Sequence, residues 1–123
     1  AAASEFLLDV FSAPDPAKGG REVKMADALV RGARDVDARF QQQPELRAAL
    51  GQTIGQAFFG LGLSPEALQH LRAAVATWRT VAGGERDLGE ALVSLAFAAI
   101  KHGDLDEADQ ALQEAATLAT NLA

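Results

Sequence analysis

The sequence predicts an all-α fold, a solenoid of antiparallel helix pairs with five to six helices. Three observations lead there. The chain has 123 residues, 49% of them apolar, yet no tyrosine and one tryptophan. Much of the apolar content is alanine, the strongest helix former, whereas sheets favour β-branched and aromatic residues. Prolines and glycine pairs cut the chain into segments of helical length whose apolar residues recur every three or four positions. A block of these positions also recurs downstream at a constant offset, the sign of repeated helical units. The length suits a single domain with a modest core.

The elements follow in order. Phe6-Leu7-Leu8 with Val10-Phe11 forms a short apolar segment, and Pro14, Pro16 and Gly19-Gly20 make the next stretch a loop. Met25, Leu29, Ala33, Val36 and Phe40 then mark the buried stripe of a long helix, with Arg31, Asp35, Arg39 and Gln42 on its polar face. Pro44 opens the next helix, where its missing N–H costs nothing, and that helix runs to Gly60 or Gly62. Ser64-Pro65-Glu66 reads as N-cap, first helical residue and first-turn acid of a helix buried through Leu68, Leu71, Val75 and Trp78 and stopped by Gly83-Gly84. A further helix spans residues 88–101 and ends at Gly103. Asp104 or its neighbour caps the last one, with Glu107 placed for a capping box and Ala108, Leu112, Ala115, Leu118 and Leu122 on its buried side.

Ile54-Gly55, Phe58, Leu61-Gly62, Ala67, Leu71 and Ala74 recur as Leu95-Ala96, Ala99, His102-Gly103, Ala108, Leu112 and Ala115, each 41 residues on. The unit is a helix, a glycine-marked turn and a second helix. Small residues at 55, 67, 74, 96, 108 and 115 belong where the two helices cross. Gly103-Asp104-Leu105-Asp106-Glu107-Ala108 carries the full turn signature of the tetratricopeptide repeat (TPR) family, and Gly62-Leu63-Ser64-Pro65-Glu66-Ala67 carries its glycine, glutamate and alanine. The chain resembles that family in a longer-repeat form, with Gly51 where a tryptophan often sits and Ala99 in place of the aromatic. On this reading, residues 1–43 are a helical lead-in, 44–84 a first repeat and 85–123 a second, within one domain.

A second resemblance covers the N-terminal half. Phe6-Leu7-Leu8-Asp9-Val10-Phe11-Ser12-Ala13-Pro14-Asp15-Pro16, Gly20-Arg21-Glu22-Val23 and Asp27-Ala28-Leu29-Val30-Arg31-Gly32-Ala33 are similar to the segment that opens the repeat region of bacterial receptor-like serine/threonine protein kinases. It implies a sensing or scaffolding repeat region at the C-terminal end of a signalling kinase. The same repeat region also accompanies transcriptional regulators, which implies instead a self-association or assembly module of such a regulator or of a stand-alone repeat protein. The chain carries no glycine-rich phosphate loop, His-Arg-Asp or Asp-Phe-Gly of a kinase.

No set of residues carries chemistry. Asp104, Asp106, Glu107 and Asp109 sit in the first turn of a helix, where they serve its dipole, rather than in a flexible calcium loop. His70 and His102 have no second nitrogen ligand at helical spacing and read as surface or turn residues. Gly60-Leu61-Gly62 follows a helix rather than a strand. Asp35 and Asp37 cannot share a helix face. With no cysteine there is neither a disulfide nor a thiolate metal site. The expectation is a non-catalytic domain with no catalytic residue, cofactor or metal.

The net charge is −6. Residues 1–84 hold nine acidic and nine basic side chains, so the surplus lies in residues 85–123, with eight acids against Arg86 and Lys101. That sign opposes nucleic acid as a partner. The strongly apolar stretch at 91–100 is about half the length needed to cross a bilayer, so no direct membrane insertion is expected. The domain is expected to be soluble, cytoplasmic or, if carried after a membrane span, extracytoplasmic. The partner is expected to be a protein or peptide, with self-association through the terminal helices as a further expectation.

The tetratricopeptide resemblance implies a concave face lined by the first helix of each repeat. Carried over by spacing, the lining is Ala49, Gln52, Gln56 and Phe59, then Glu90, Val93, Phe97, Ile100 and Lys101. Members that clamp a peptide carboxylate place lysine, arginine and asparagine there, whereas glutamines and apolar groups predict hydrophobic recognition with a few amide hydrogen bonds. The alternative is that Phe59, Phe97 and Ile100 are core residues packed against another helix, with the N-terminal one as a candidate.

Overall fold

The computed structural model describes residues 21–122. The expected N-terminal apolar segment, the loop after it and Ala123 lie outside the described residues. Five helices follow one another: α1 (Arg21–Arg39), α2 (Pro44–Gly60), α3 (Ser64–Trp78), α4 (Glu85–His102) and α5 (Leu105–Leu122). Among the described residues there is no strand. The most extensive packing lies within the pairs α2–α3 and α4–α5. The α3–α4 interface joins the pairs, and α1 covers the outer side of α2. This is the all-α helical repeat that the sequence predicts.

Both pairs turn in the same way. Gly62 has φ 78° and Gly103 φ 93°, a left-handed backbone that glycine adopts without strain. At the first turn the Leu63 N–H donates to Phe58 O (3.0 Å) and the Gly62 N–H to Phe59 O (2.9 Å). At the second, the Asp104 N–H donates to Ala99 O (2.8 Å) and the Gly103 N–H to Ile100 O (3.1 Å). These are the two bonds of a Schellman motif, which satisfy helix-end carbonyls while the chain reverses. The 41-residue offset therefore marks two copies of one backbone turn.

Several boundaries differ from expectation. Ser64 is the first residue of α3 and is buried; Leu63 occupies the N-cap position, and no side chain caps the helix. α4 begins at Glu85 rather than Leu88, because the Gly84 carbonyl accepts the Leu88 N–H at 2.8 Å and Glu85 and Asp87 suit the positive helix end. Only half of the expected capping box forms. Asp104 Oδ1 accepts the Glu107 N–H at 3.1 Å, but the Asp104 N–H serves the preceding turn, so the Glu107 carboxylate is free to pair elsewhere. At the α1–α2 turn, Arg47 donates to the carbonyls of Phe40 (3.3 Å) and Gln41 (2.8 Å) at the end of α1.

The largest fully buried side chains are Leu29 and Val36 of α1, Ile54 and Phe58 of α2, Leu68 and Leu71 of α3 and Leu92 of α4. None comes from α5, whose buried residues are Ala108 and Ala111 alone. Leu112 and Leu122, expected on the buried side, are exposed, and Ala115 and Leu118 are half-buried. The reason is positional: among the described residues no layer lies beyond α5.

Candidate protein-binding face

The first helix of each pair sets the geometry. Ala49, Gln52, Gln56 and Phe59 on α2 stand 41 residues before Glu90, Val93, Phe97 and Ile100 on α4, so the two sets occupy equivalent positions. The faces meet directly: Gln56 Nε2 donates to Ser94 Oγ at 2.9 Å. Four large apolar side chains on this surface remain open, with Phe59 37%, Val93 36%, Phe97 58% and Ile100 47% exposed. None is packed away against another described helix; the N-terminal segment, which the alternative of a core role also named, lies outside the described residues. Glu90 and Lys101 are also exposed.

Gln52 differs from its neighbours. It is half-buried, and its Oε1 accepts the Trp78 Nε1–H at 3.0 Å. Trp78 is buried at the end of α3, and its indole N–H needs an acceptor there. The Gln52 carbonyl oxygen is thus committed within the chain, while Gln56 spends an amide hydrogen on Ser94. Of the expected amide contacts, both glutamines already hold internal partners.

The second helices of the pairs are joined by charge. Arg72 Nε on α3 donates to Glu107 Oε2 at 2.7 Å, and Arg79 Nη2, in the C-cap just past α3, donates to Glu114 Oε1 at 2.6 Å, both reaching α5. The Glu107 hydrogen bond raises the Arg72 pKa further. The pattern was present in the sequence as two arginines seven apart and two glutamates seven apart, two helical turns in each case.

His70 departs from its expected surface setting. Its ring stacks on Phe58 with centroids 5.2 Å apart, and burial lowers its pKa against the opposing pull of Asp37 and Glu66. The acids considered for calcium serve the helix instead: Asp104 caps, Glu107 holds Arg72, and Asp109 accepts from Gln113 at 2.9 Å. Among the described residues no group of three His, Cys, Asp or Glu is placed to hold a metal. No helix among them is long and apolar enough to cross a membrane.

The Tetratricopeptide repeat family profile matches residues 45–121, from the first turn of α2 to the last turn of α5. The chain belongs to the tetratricopeptide repeat family. Tetratricopeptide repeats generally mediate protein–protein interaction and are generally non-catalytic. No curated protein and no solved structure matches the chain.

Proposed function

We propose that this tetratricopeptide domain binds a protein or peptide in the α2–α4 face through apolar contacts. Its repeats divide as a lead-in at 1–43, a first repeat at 44–84 and a second at 85–123. The observation that carries the reading is the joint exposure of Phe59, Val93, Phe97 and Ile100 on equivalent positions of two helices held side by side. Large apolar groups clustered on one surface are a sign of an interaction site. Lys101 is the one cation among the lining positions, so a peptide's terminal carboxylate finds no clamp. Such a face suits an amphipathic helix laid in a groove.

The parent is read as a bacterial signalling serine/threonine kinase in which these repeats sense or scaffold. The support is the similarity at residues 6–16, 20–23 and 27–33. The domain is soluble in this reading, cytoplasmic or, after a membrane span, extracytoplasmic, with nucleic acid disfavoured by the −6 charge. A second reading, an assembly module of a regulator or stand-alone repeat protein, is favoured by the exposed Leu112 and Leu122 of α5. Salt-resistant oligomers with no other partner would support it.

The test uses a peptide selected from a random library against the 123-residue chain. Phe97→Ala with Ile100→Ala should weaken it at least tenfold, about 1.4 kcal/mol, and amidating its C-terminus should change affinity less than that. A selected peptide indifferent to both substitutions would overturn the proposed face. A larger loss on amidation would show a carboxylate clamp.

A further inference from the structure

A groove of about 730 Å³ lies on the seam between the two pairs, at the end from which α2 and α4 start. Its floor is apolar: Pro44, Leu46 and Ala49 of α2, Trp78 at the end of α3 and Val81 in the loop that follows. Asp87, in the first turn of α4, adds a wall from the second pair. Both pairs thus line the groove, and a further pair stacked beyond α5 would leave it open. Its size lies within the roughly 300–1,000 Å³ common for ligand sites and exceeds what one side chain needs.

The polar groups around this floor mostly accept. Glu45 and Asp87 are carboxylates, and neither has a cation or hydrogen-bond partner among the described residues. Thr80 gives its one hydroxyl proton to the Thr77 carbonyl at 2.7 Å, which leaves its oxygen as an acceptor. Gln43 is exposed and can present either end of its amide. The cations nearest in sequence are turned elsewhere: Arg47 donates to the Phe40 and Gln41 carbonyls, and Arg86 lines the opposite side of α4. The starts of α2 and α4 offset about half a charge each, so the two carboxylates leave the rim with about one net negative charge. The matching occupant is positive, rich in donors and apolar along its stem. Arginine has all three properties, with five N–H donors and no acceptor. Occupants from the chain itself match poorly. Residues 1–20 carry Glu5, Asp9 and Asp15 against Lys18, and they join α1 about 28 Å along that helix from the end that leads to Pro44. A second copy brings a net charge of −6. We propose that this groove binds a short segment of a partner protein, with an arginine at the Glu45–Asp87 rim and a neighbouring apolar side chain on the Leu46–Val81 floor.

The site stands without the Phe59–Phe97–Ile100 surface, and the test keeps them apart. The probe is the capped tripeptide acetyl-leucyl-arginyl-leucine amide. Trp78 lines the groove and is the chain's one tryptophan, so its emission reads occupancy without a label. Titration into the 123-residue chain should give a saturable emission change below about 10 mM. Citrulline in place of arginine keeps the shape and removes the charge, and should bind about fivefold more weakly. Glu45→Gln with Asp87→Asn should erase that preference. Ala82 lines the groove and is exposed, so Ala82→Phe should melt near the parent chain yet weaken the arginine peptide about tenfold. No saturable change, equal binding of the arginine and citrulline peptides, a preference that survives the double substitution, or binding indifferent to Ala82→Phe would each overturn the proposal. So would binding lost on Phe97→Ala, which would put the probe on the α2–α4 face. A gain of about tenfold on Phe6→Asp with Phe11→Asp would assign the groove to the chain's own first residues. A dimer at micromolar concentration that the probe dissociates would assign it to a second copy. Either result overturns the proposal.

Discussion

Gly55 on α2 lies flush against Leu71 on α3: a Cβ at residue 55 would stand 2.7 Å from Leu71 Cγ and 2.9 Å from Cδ2. Leu71 is fully buried and cannot yield. Gly55→Val should therefore overpack the crossing and cost about 1–3 kcal/mol. Gly51, one turn earlier, has nothing within 4 Å of its would-be Cβ, so Gly51→Ala should stabilise by about 0.5–1 kcal/mol through helix propensity. Urea melts of the two variants should move in opposite directions.

Ala67 and Ala108 occupy the same crossing in the two pairs, and both are buried. Ala67→Leu and Ala108→Leu should each lose about 1–3 kcal/mol. Unchanged melting temperatures in both would contradict close packing at these positions.

Gln52→Leu removes the acceptor of the Trp78 indole and leaves a buried N–H unpaired, which should cost about 1–3 kcal/mol. Trp78 is the chain's one tryptophan, so its emission reports the site directly. A variant with parent stability would mean that water replaces the glutamine.

The Arg72–Glu107 and Arg79–Glu114 pairs have half-exposed arginines, which limits each to about 1 kcal/mol or less. A double-mutant cycle on Arg72→Ala and Glu107→Ala should give a coupling in that range that shrinks with added salt. A salt-independent coupling well above it would point to a buried pair.

Burial holds the His70 pKa below its ordinary value of 6.5, despite Asp37 on α1 and Glu66 on α3. As pH falls through 6.5, the unfolded chain takes up the proton before the folded one does. Stability linked to this group is thus full above about 6.5 and is lost on acidification below it. Between pH 7.5 and 5.5 the parent chain should lose more stability in urea than His70→Phe. Equal losses would assign the effect to carboxylates.

The fold was legible because its determinants are local. Gly62 and Gly103, the prolines at 44 and 65 and the small residues at the crossings each act through backbone conformation or close approach, and their spacing shows in one dimension. The proposed face rests on the same offset, which carries Phe59 onto Ile100 and Gln56 onto Phe97. What stayed hidden depends on distant partners. Gln52 reads as a free amide until Trp78, 26 residues on, takes its oxygen. Glu107 reads as a capping-box acid until Arg72 takes it, and His70 as a surface residue until Phe58 stacks on it. Leu112 and Leu122 follow the apolar period of α5, but periodicity does not say whether a neighbour is there to cover them.

The two pairs are fastened differently on their two sides. Between the first helices the link is an uncharged bond, Gln56 to Ser94; between the second helices it is two ion pairs. Ionic strength therefore acts on one side only, weakening the two ion pairs while leaving the amide bond intact. The packing of α3 on α4 lies between them and carries no charge dependence, so added salt trims the joint's strength without undoing it.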